Sequence, residues 1–227
     1  MPTMQLTQIV LDETGLQTRD GHKLRGYLGS RFAEHGLLHN HRGDGAFRYR
    51  YPLVQYKITR GRALILGIGR GGEALEALFL QLNALRIGER EIPLREKQIR
   101  HRETVFGWTA KPIEYRFETP WLGLNQKNHE RWPNLSEAER AELLERVLTG
   151  NLLSLAKGLD YRLAKEQRLV AHARLKPVPV HFKNKPMLGF TGNFSVNFLI
   201  PDWLGLGKSC ARGFGTVRRA LPRESRP

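Results

Sequence analysis

Residues 205–215 read Gly-Leu-Gly-Lys-Ser-Cys-Ala-Arg-Gly-Phe-Gly. Gly205/Gly207 and Gly213/Gly215 are two Gly-apolar-Gly units, and Lys208 and Arg212 lie between them. Paired glycines admit positive φ and let another backbone come close. The lysine and arginine supply charge for phosphate, with the loop's backbone N–H groups as further donors. Gly207-Lys208-Ser209 has the ending of a P-loop, but that motif would need a glycine at position 202, which is Asp202, and no apolar helix follows. What is left is a loop suited to a polyanionic backbone.

The next residues extend this reading to the fold. Arg212-Gly213-Phe214-Gly215-Thr216-Val217 matches much of the octapeptide found on the sheet of RNA-recognition-motif domains, with Thr216 and Arg219 where that octapeptide has aromatic residues. A ferredoxin-like β-α-β-β-α-β unit is therefore the arrangement to look for. The first half of the chain spells it out. Met4–Leu11 is a short β-like run, and Asp20 can cap a helix carrying Leu24, Tyr27, Leu28 and Phe32, with Gly36 as its stop. Phe47–Ile58 alternates Phe47, Tyr49 and Tyr51 with Arg48 and Arg50, the period of a half-buried strand, with Pro52 marking an edge or bulge. Arg60-Gly61 is a turn, Ala63–Leu66 a third strand, and Leu75, Leu78, Phe79 and Leu82 share a helical face after Gly72. A fourth extended stretch is expected within 85–107.

The second half repeats the pattern less completely. Lys111–Thr119 is strand-like, and Ser136 with Glu139 forms a capping box for a helix bearing Leu143, Leu144, Val147, Leu148, Leu152 and Leu155 that ends at Gly158. Extended segments follow at 168–182 and 187–200, then the glycine loop and a last strand at Phe214–Arg218. The expectation is an α+β fold of two tandem ferredoxin-like (RNA-recognition-motif-like) units, the second degenerate. It places an N-terminal domain at 1–108, a C-terminal domain with the glycine loop at 109–219, and a basic tail at 220–227.

Composition narrows the partner. The 227 residues hold 37 Lys+Arg against 22 Asp+Glu, a net charge of +15, while the apolar 40% and charged 26% are those of an ordinary globular chain. Such a surplus implies a polyanion, of which nucleic acid is the commonest. No stretch reads as a membrane span, a basic amphipathic anchor or a secretory leader, so the expected setting is the cytoplasm without a membrane partner. The single cysteine, Cys210, excludes an intramolecular disulfide and a multi-cysteine zinc site. Gly67, Gly69 and Gly72 spell G-x-G-x-x-G between a strand and a helix, with Glu89 and Glu91 where an acidic ribose ligand would stand. No run of further βαβ units follows, so a nucleotide-cofactor enzyme ranks last.

The paired spacing at Gly205, Gly207, Gly213 and Gly215, near the C-terminus of a basic chain of two ferredoxin-like units, resembles the CRISPR-associated endoribonucleases of the repeat-associated mysterious protein superfamily, which process precursor CRISPR RNA. The resemblance implies metal-independent cleavage of repeat RNA that leaves a cyclic phosphate, with the loop contacting RNA. It also implies a catalytic histidine after the first helix. Here that region holds His39 and His41, in Leu38-His39-Asn40-His41-Arg42, and the choice between them stays open.

The chemistry can also be argued from the reaction. Attack by RNA's own 2′-hydroxyl needs a base for its proton, an acid for the departing 5′-oxygen and cations for the charge on phosphorus. Histidine can serve in either proton-transfer role. The catalytic candidates are His39, His41 and, as a hydrogen-bond donor from the first helix, Tyr27. Arg48, Arg50, Lys57, Lys208 and Arg212 with the four loop glycines are the RNA-binding candidates, with no cofactor and no metal. The expected partners are repeat RNA and precursor guide RNA, with other CRISPR effector subunits and a homodimer left open. The alternative is a non-catalytic guide-RNA scaffold of the same superfamily. Plainer readings stand beside these: loop histidines in solvent, arginines on a solvated face, glycines that serve strand crossing, and His35 in the core. The His101-Arg102-Glu103 run lacks the cysteines of a zinc deaminase.

Overall fold

The computed structural model describes residues 1–11, 14–32, 36–39, 51–182 and 185–220, except the side chains of Arg19 and His39. The chain divides into two compact units. One is Pro2–Val105 together with Ser209–Phe214; the other contains Phe106–Lys208 and resumes at Gly215. No helix among the described residues is long and apolar enough to cross a membrane.

The first unit runs β1 (Thr3–Leu11), α1 (Gly21–Arg31), α2 (Gly36–His39), β2 (Val54–Thr59), β3 (Arg62–Ile68), α3 (Arg70–Gln81), β4 (Ala84–Ile87), β5 (Arg90–Pro93) and β6 (Lys97–Val105). Its main sheet is antiparallel in the order β2-β3-β1-β6, which is the ferredoxin-like order with β6 as the fourth strand. Ile9 and Leu11 of β1, Tyr56 and Ile58 of β2, and Ala63 and Ile65 of β3 alternate onto one face. There they meet Leu24 and Leu28 of α1 and Leu75 and Leu78 of α3 in one buried cluster.

Four features differ from the sequence reading. Helix α1 ends at Arg31, where Phe32 leaves helical geometry (φ −122°, ψ 52°), and Gly36 opens α2 instead of stopping α1. The Asp20 carboxylate does not cap the N–H groups of α1; it accepts from the Gln17 N–H at 3.1 Å and pairs with Lys23 at 3.1 Å. The second strand begins at Val54, after Pro52; the stretch 47–50 lies outside the described residues. The expected fourth extended stretch is a hairpin, β4–β5, turning at Gly88 (φ 64°), followed by β6.

The second unit comprises β7 (Gly107–Phe117), α4 (Gln126–Arg131), α5 (Glu137–Gly158), β8 (Ala171–Phe182), β9 (Lys185–Leu199) and β10 (Val217–Arg219), in the sheet order β10-β7-β9-β8. This is the same strand order as in the first unit, and it explains the degeneracy. Where the first unit places α3 between its third and fourth strands, the second has only the glycine loop, with a 3-10 turn at Cys210–Arg212. The capping box forms as read: Ser136 Oγ accepts from the Glu139 N–H at 3.3 Å and the Glu139 carboxylate accepts from the Ser136 N–H at 2.8 Å. Leu143, Leu144, Leu148, Leu152 and Leu155 of α5 are buried. An aromatic core stands with them: Trp121 stacks on Phe117 with centroids 5.5 Å apart, and Phe194 lies 4.9 Å from Phe117.

Candidate functional site

The flanks of the glycine loop are held tightly by the second unit. Leu206 N–H donates to the Gly215 carbonyl (2.8 Å), Gly215 N–H to Pro120 (2.9 Å), Lys208 N–H to Leu122 (3.2 Å) and Val217 N–H to Leu204 (2.8 Å). Gly207 (φ 77°) lies where a Cβ would sit 2.5 Å from both Trp121 Nε1 and Asn151 Oδ1, which are themselves hydrogen-bonded at 3.0 Å. Gly215 (φ 62°) has no room for a Cβ against the Leu206 carbonyl. Residues with a Cβ strain at such φ values, so glycine is required here by backbone and space together. This corrects one expectation: the N–H groups of Leu206, Lys208, Arg212, Gly213 and Gly215 donate to protein carbonyls and so do not form a cradle of free donors. Of the loop's two cations, Lys208 is exposed and Arg212 half-buried.

The loop's tip, Ser209–Phe214, packs within the first unit. Cys210 is buried there, the Arg212 carbonyl abuts Gly21 at the start of α1, and Gly213 sits 3.0 Å, by its would-be Cβ, from the Tyr56 carbonyl. Tyr56 in turn donates its buried hydroxyl to the Leu38 carbonyl of α2 at 3.2 Å, and burial pushes its phenol well above the usual range. Leu38 precedes His39, the last residue of α2. Arg25 of α1 stands in the same neighbourhood. Burial lowers its pKa, the Arg212 guanidinium lowers it further, and Tyr56 partly opposes the shift. Burial also lowers Arg212. Both guanidiniums are half-buried.

The other candidates fall as follows. Lys57 was expected to face RNA, but it is fully buried: β2 is covered on both faces, so its period-two pattern exposes no alternate residue. Its ammonium donates to Gln55 Oε1 at 2.9 Å, and burial lowers its pKa to about 7 despite the nearby Cys210, which acts in the opposite direction. Tyr27 donates its hydroxyl to the Ala84 carbonyl at 3.1 Å and packs against the core, a contact that holds α1 to β4. His41, Arg48 and Arg50 lie outside the described residues, as do the His39 side chain and His35. The G-x-G-x-x-G glycines are accounted for by local geometry: a Cβ on Gly67 would sit 2.6 Å from the Gly71 carbonyl, one on Gly72 would collide with Thr7 Oγ1, and Gly69 has a positive φ of 50°.

Sequence reasoning passed over Arg25, since nothing local separates it from Lys23 or Arg31 on the same helix. Its partner Arg212 lies far along the chain. His101 belongs to a separate contact, with its Nδ1 3.2 Å from Thr7 Oγ1 and 3.4 Å from Glu76 Oε1.

The doubled strand order and the glycine loop in place of a helix define a tandem ferredoxin-like protein with a basic loop. Comparison with known proteins identifies its kind. Residues 2–105 match the Cas6b N-terminal domain model and residues 107–220 the Cas6b C-terminal domain model. A solved Cas6b is 41% identical, with 96% of this chain and 100% of that one covered at a TM-score of 0.90. Another, a CRISPR RNA processing endoribonuclease Cas6b, is 38% identical over 96% of this chain and 100% of its own, at a TM-score of 0.75. An uncharacterized protein of Methanocaldococcus jannaschii is 42% identical over 115 residues, half of this chain and 77% of the other. The chain belongs to the Cas6b family of CRISPR-associated endoribonucleases.

Proposed function

We propose that this protein cleaves CRISPR repeat RNA within precursor transcripts to yield mature guide RNA, through metal-independent attack of a 2′-hydroxyl. The observation that carries the reading is the likeness over nearly the whole chain to two Cas6b structures, one of them named as a CRISPR RNA processing endoribonuclease. In the proposed reaction the neutral imidazole of His39 or His41 takes the 2′-hydroxyl proton. The freed oxygen bonds to the adjacent phosphorus, the P–O5′ bond breaks, and the imidazolium returns the proton to the 5′-oxygen. The products are a 2′,3′-cyclic phosphate and a 5′-hydroxyl. Arg212 and Arg25 neutralise the phosphate as charge gathers on it, and Lys208 holds the strand from the loop's exposed side. Arg48 and Arg50 remain RNA-contacting candidates.

The test incubates purified protein with the cognate repeat RNA in EDTA. Cutting is expected, and a 2′-deoxy substitution at the scissile nucleotide should block it. His39→Ala or His41→Ala should slow cutting by about 100-fold or more with binding nearly intact. Arg25→Ala and Arg212→Ala should each weaken binding roughly 10-fold. Cognate RNA that is bound tightly yet left intact would replace this reading with the scaffold alternative.

A further inference from the structure

Tyr56 is a fully buried polar side chain that the proposed reaction leaves unused. In the strand register it stands beside Ile65 and Ile9, on the face of the first unit's sheet that meets the helices. A phenol placed in such a core needs a partner for its hydroxyl. The partner is the Leu38 carbonyl of α2, 3.2 Å away and 18 residues earlier in the chain. With no exposed surface, the phenol cannot touch RNA, and it reaches the reaction only through what it holds.

What it holds is the short helix that ends in a candidate base. α2 is the single turn Gly36–His39. One turn fixes its dihedrals for very little internal hydrogen bonding, and the carbonyls at its C-terminal end have no partner within the helix. The position of α2 is therefore set from outside. Leu38 is buried, Leu37 packs against the same core, and α2 lies against α1 and α3. Apolar contacts are non-directional and by themselves leave a short helix free to slide or turn. The Tyr56 hydroxyl adds the directional contact, on the residue immediately before His39. The backbone of Tyr56 faces the loop tip. β2 is the outer strand of its sheet, and the Tyr56 carbonyl lies 3.0 Å from the would-be Cβ of Gly213, the neighbour of Arg212. One residue thus joins the helix of the histidine to the tip of the loop that carries Arg212. A base at the 2′-hydroxyl and a cation at the adjacent phosphate serve one linkage, and about 1 Å of misplacement costs about 100-fold in rate.

We propose that Tyr56 is a positioning residue for His39: its hydroxyl fixes the C-terminal end of α2, and with it the backbone of the histidine, against the strand that receives the loop tip. The inference rests on the repeat-RNA reading above and takes His39 as the group that moves the proton. The test is single-turnover cutting of cognate repeat RNA, with protein in varied excess, for wild type, Tyr56→Phe, His39→Ala and the double variant. Tyr56→Phe keeps the ring and removes only the hydroxyl. Its maximal rate is expected to fall roughly 10-fold, with the half-saturating protein concentration within about twofold of wild type. In the His39→Ala background the same substitution should change the rate by less than about twofold, because residues that act as a unit are not additive. Tyr115→Phe is the control. Tyr115 is also buried, donates to the Phe198 carbonyl at 3.3 Å and accepts from the Ile200 N–H at 2.9 Å. Its loss should lower the unfolding midpoint and leave the maximal rate unchanged. Equal slowing by Tyr56→Phe with and without His39 overturns the positioning role and leaves the reaction standing. A loss of binding in step with the loss of cutting, or an unchanged maximal rate, does the same. So does a His39→Ala protein that cuts at the wild-type rate. A wild-type protein that does not cut the repeat overturns both readings.

Discussion

The two units connect the third and fourth strands of the same sheet order in different ways. In the first, the connection is α3, whose peptide groups satisfy one another and whose Leu75 and Leu78 face the core. In the second it is the loop over 200–216, which has no α-helical ladder and sends N–H groups to carbonyls elsewhere, Gly215 to Pro120 and Lys208 to Leu122. The glycines follow the difference. Gly71 and Gly72 in α3 permit close packing, against the Leu53 carbonyl and Thr7, whereas Gly207 and Gly215 combine tight packing with positive φ. A helix in the loop's place would bury one stripe of side chains. The loop instead inserts Cys210 and Arg212 into the first unit and leaves Lys208 exposed.

The sharpest way to probe this contrast is through the lysine beneath the loop tip. The Lys57 amine titrates near 7 in the fold and near 10.5 when unfolded. Below pH 7 both states hold the proton, and the fold carries the full cost of a buried charge. Between 7 and 10.5 only the unfolded chain keeps it, so stability from this group rises with pH. Cys210 faces Lys57, and burial pushes its thiol up to about 11, so the pH 7–9 window lies below the cysteine's own effect. Lys57→Met should be more stable than wild type at pH 6–7, and chemical denaturation should show the gap narrowing by about 2–3 kcal/mol by pH 9. A constant gap would mean that the tip leaves this amine in contact with water.

A somewhat smaller effect is expected from the loop's own backbone. Gly215→Ala forces a Cβ against the Leu206 carbonyl at positive φ, and a loss of about 2–3 kcal/mol in denaturant unfolding is expected. An unchanged midpoint would show that the loop rearranges freely, against the packing described. The smallest effect has the opposite sign. Gly26 of α1 is exposed, with nothing within 4 Å of its would-be Cβ, so Gly26→Ala should stabilise by about 0.5–1 kcal/mol and leave RNA binding unaltered. Equal responses at positions 26 and 215 would erase the distinction between helix and loop glycines.

Much of the fold was legible in local pattern. Leu75 and Leu78 at helical spacing, Ser136 with Glu139, and alternating runs separated by turn residues all report on neighbours within a few positions, where periodicity and capping act. The hairpin turn at Gly88 and the end of α1 at Arg31 were harder, because short elements depend on what packs against them as much as on their own residues. The site divided along the same line. By itself the sequence determined a tandem ferredoxin-like chain with a surplus of cations, a glycine loop and two histidines after the first helix. Only the tertiary structure decided which cations meet solvent or one another. It buried Lys57 by covering both faces of β2, it turned the Tyr27 hydroxyl to Ala84, and it half-buried Arg25 and Arg212 while leaving Lys208 exposed. Burial and charge proximity are set by segments distant in the chain, and no local spacing encodes them.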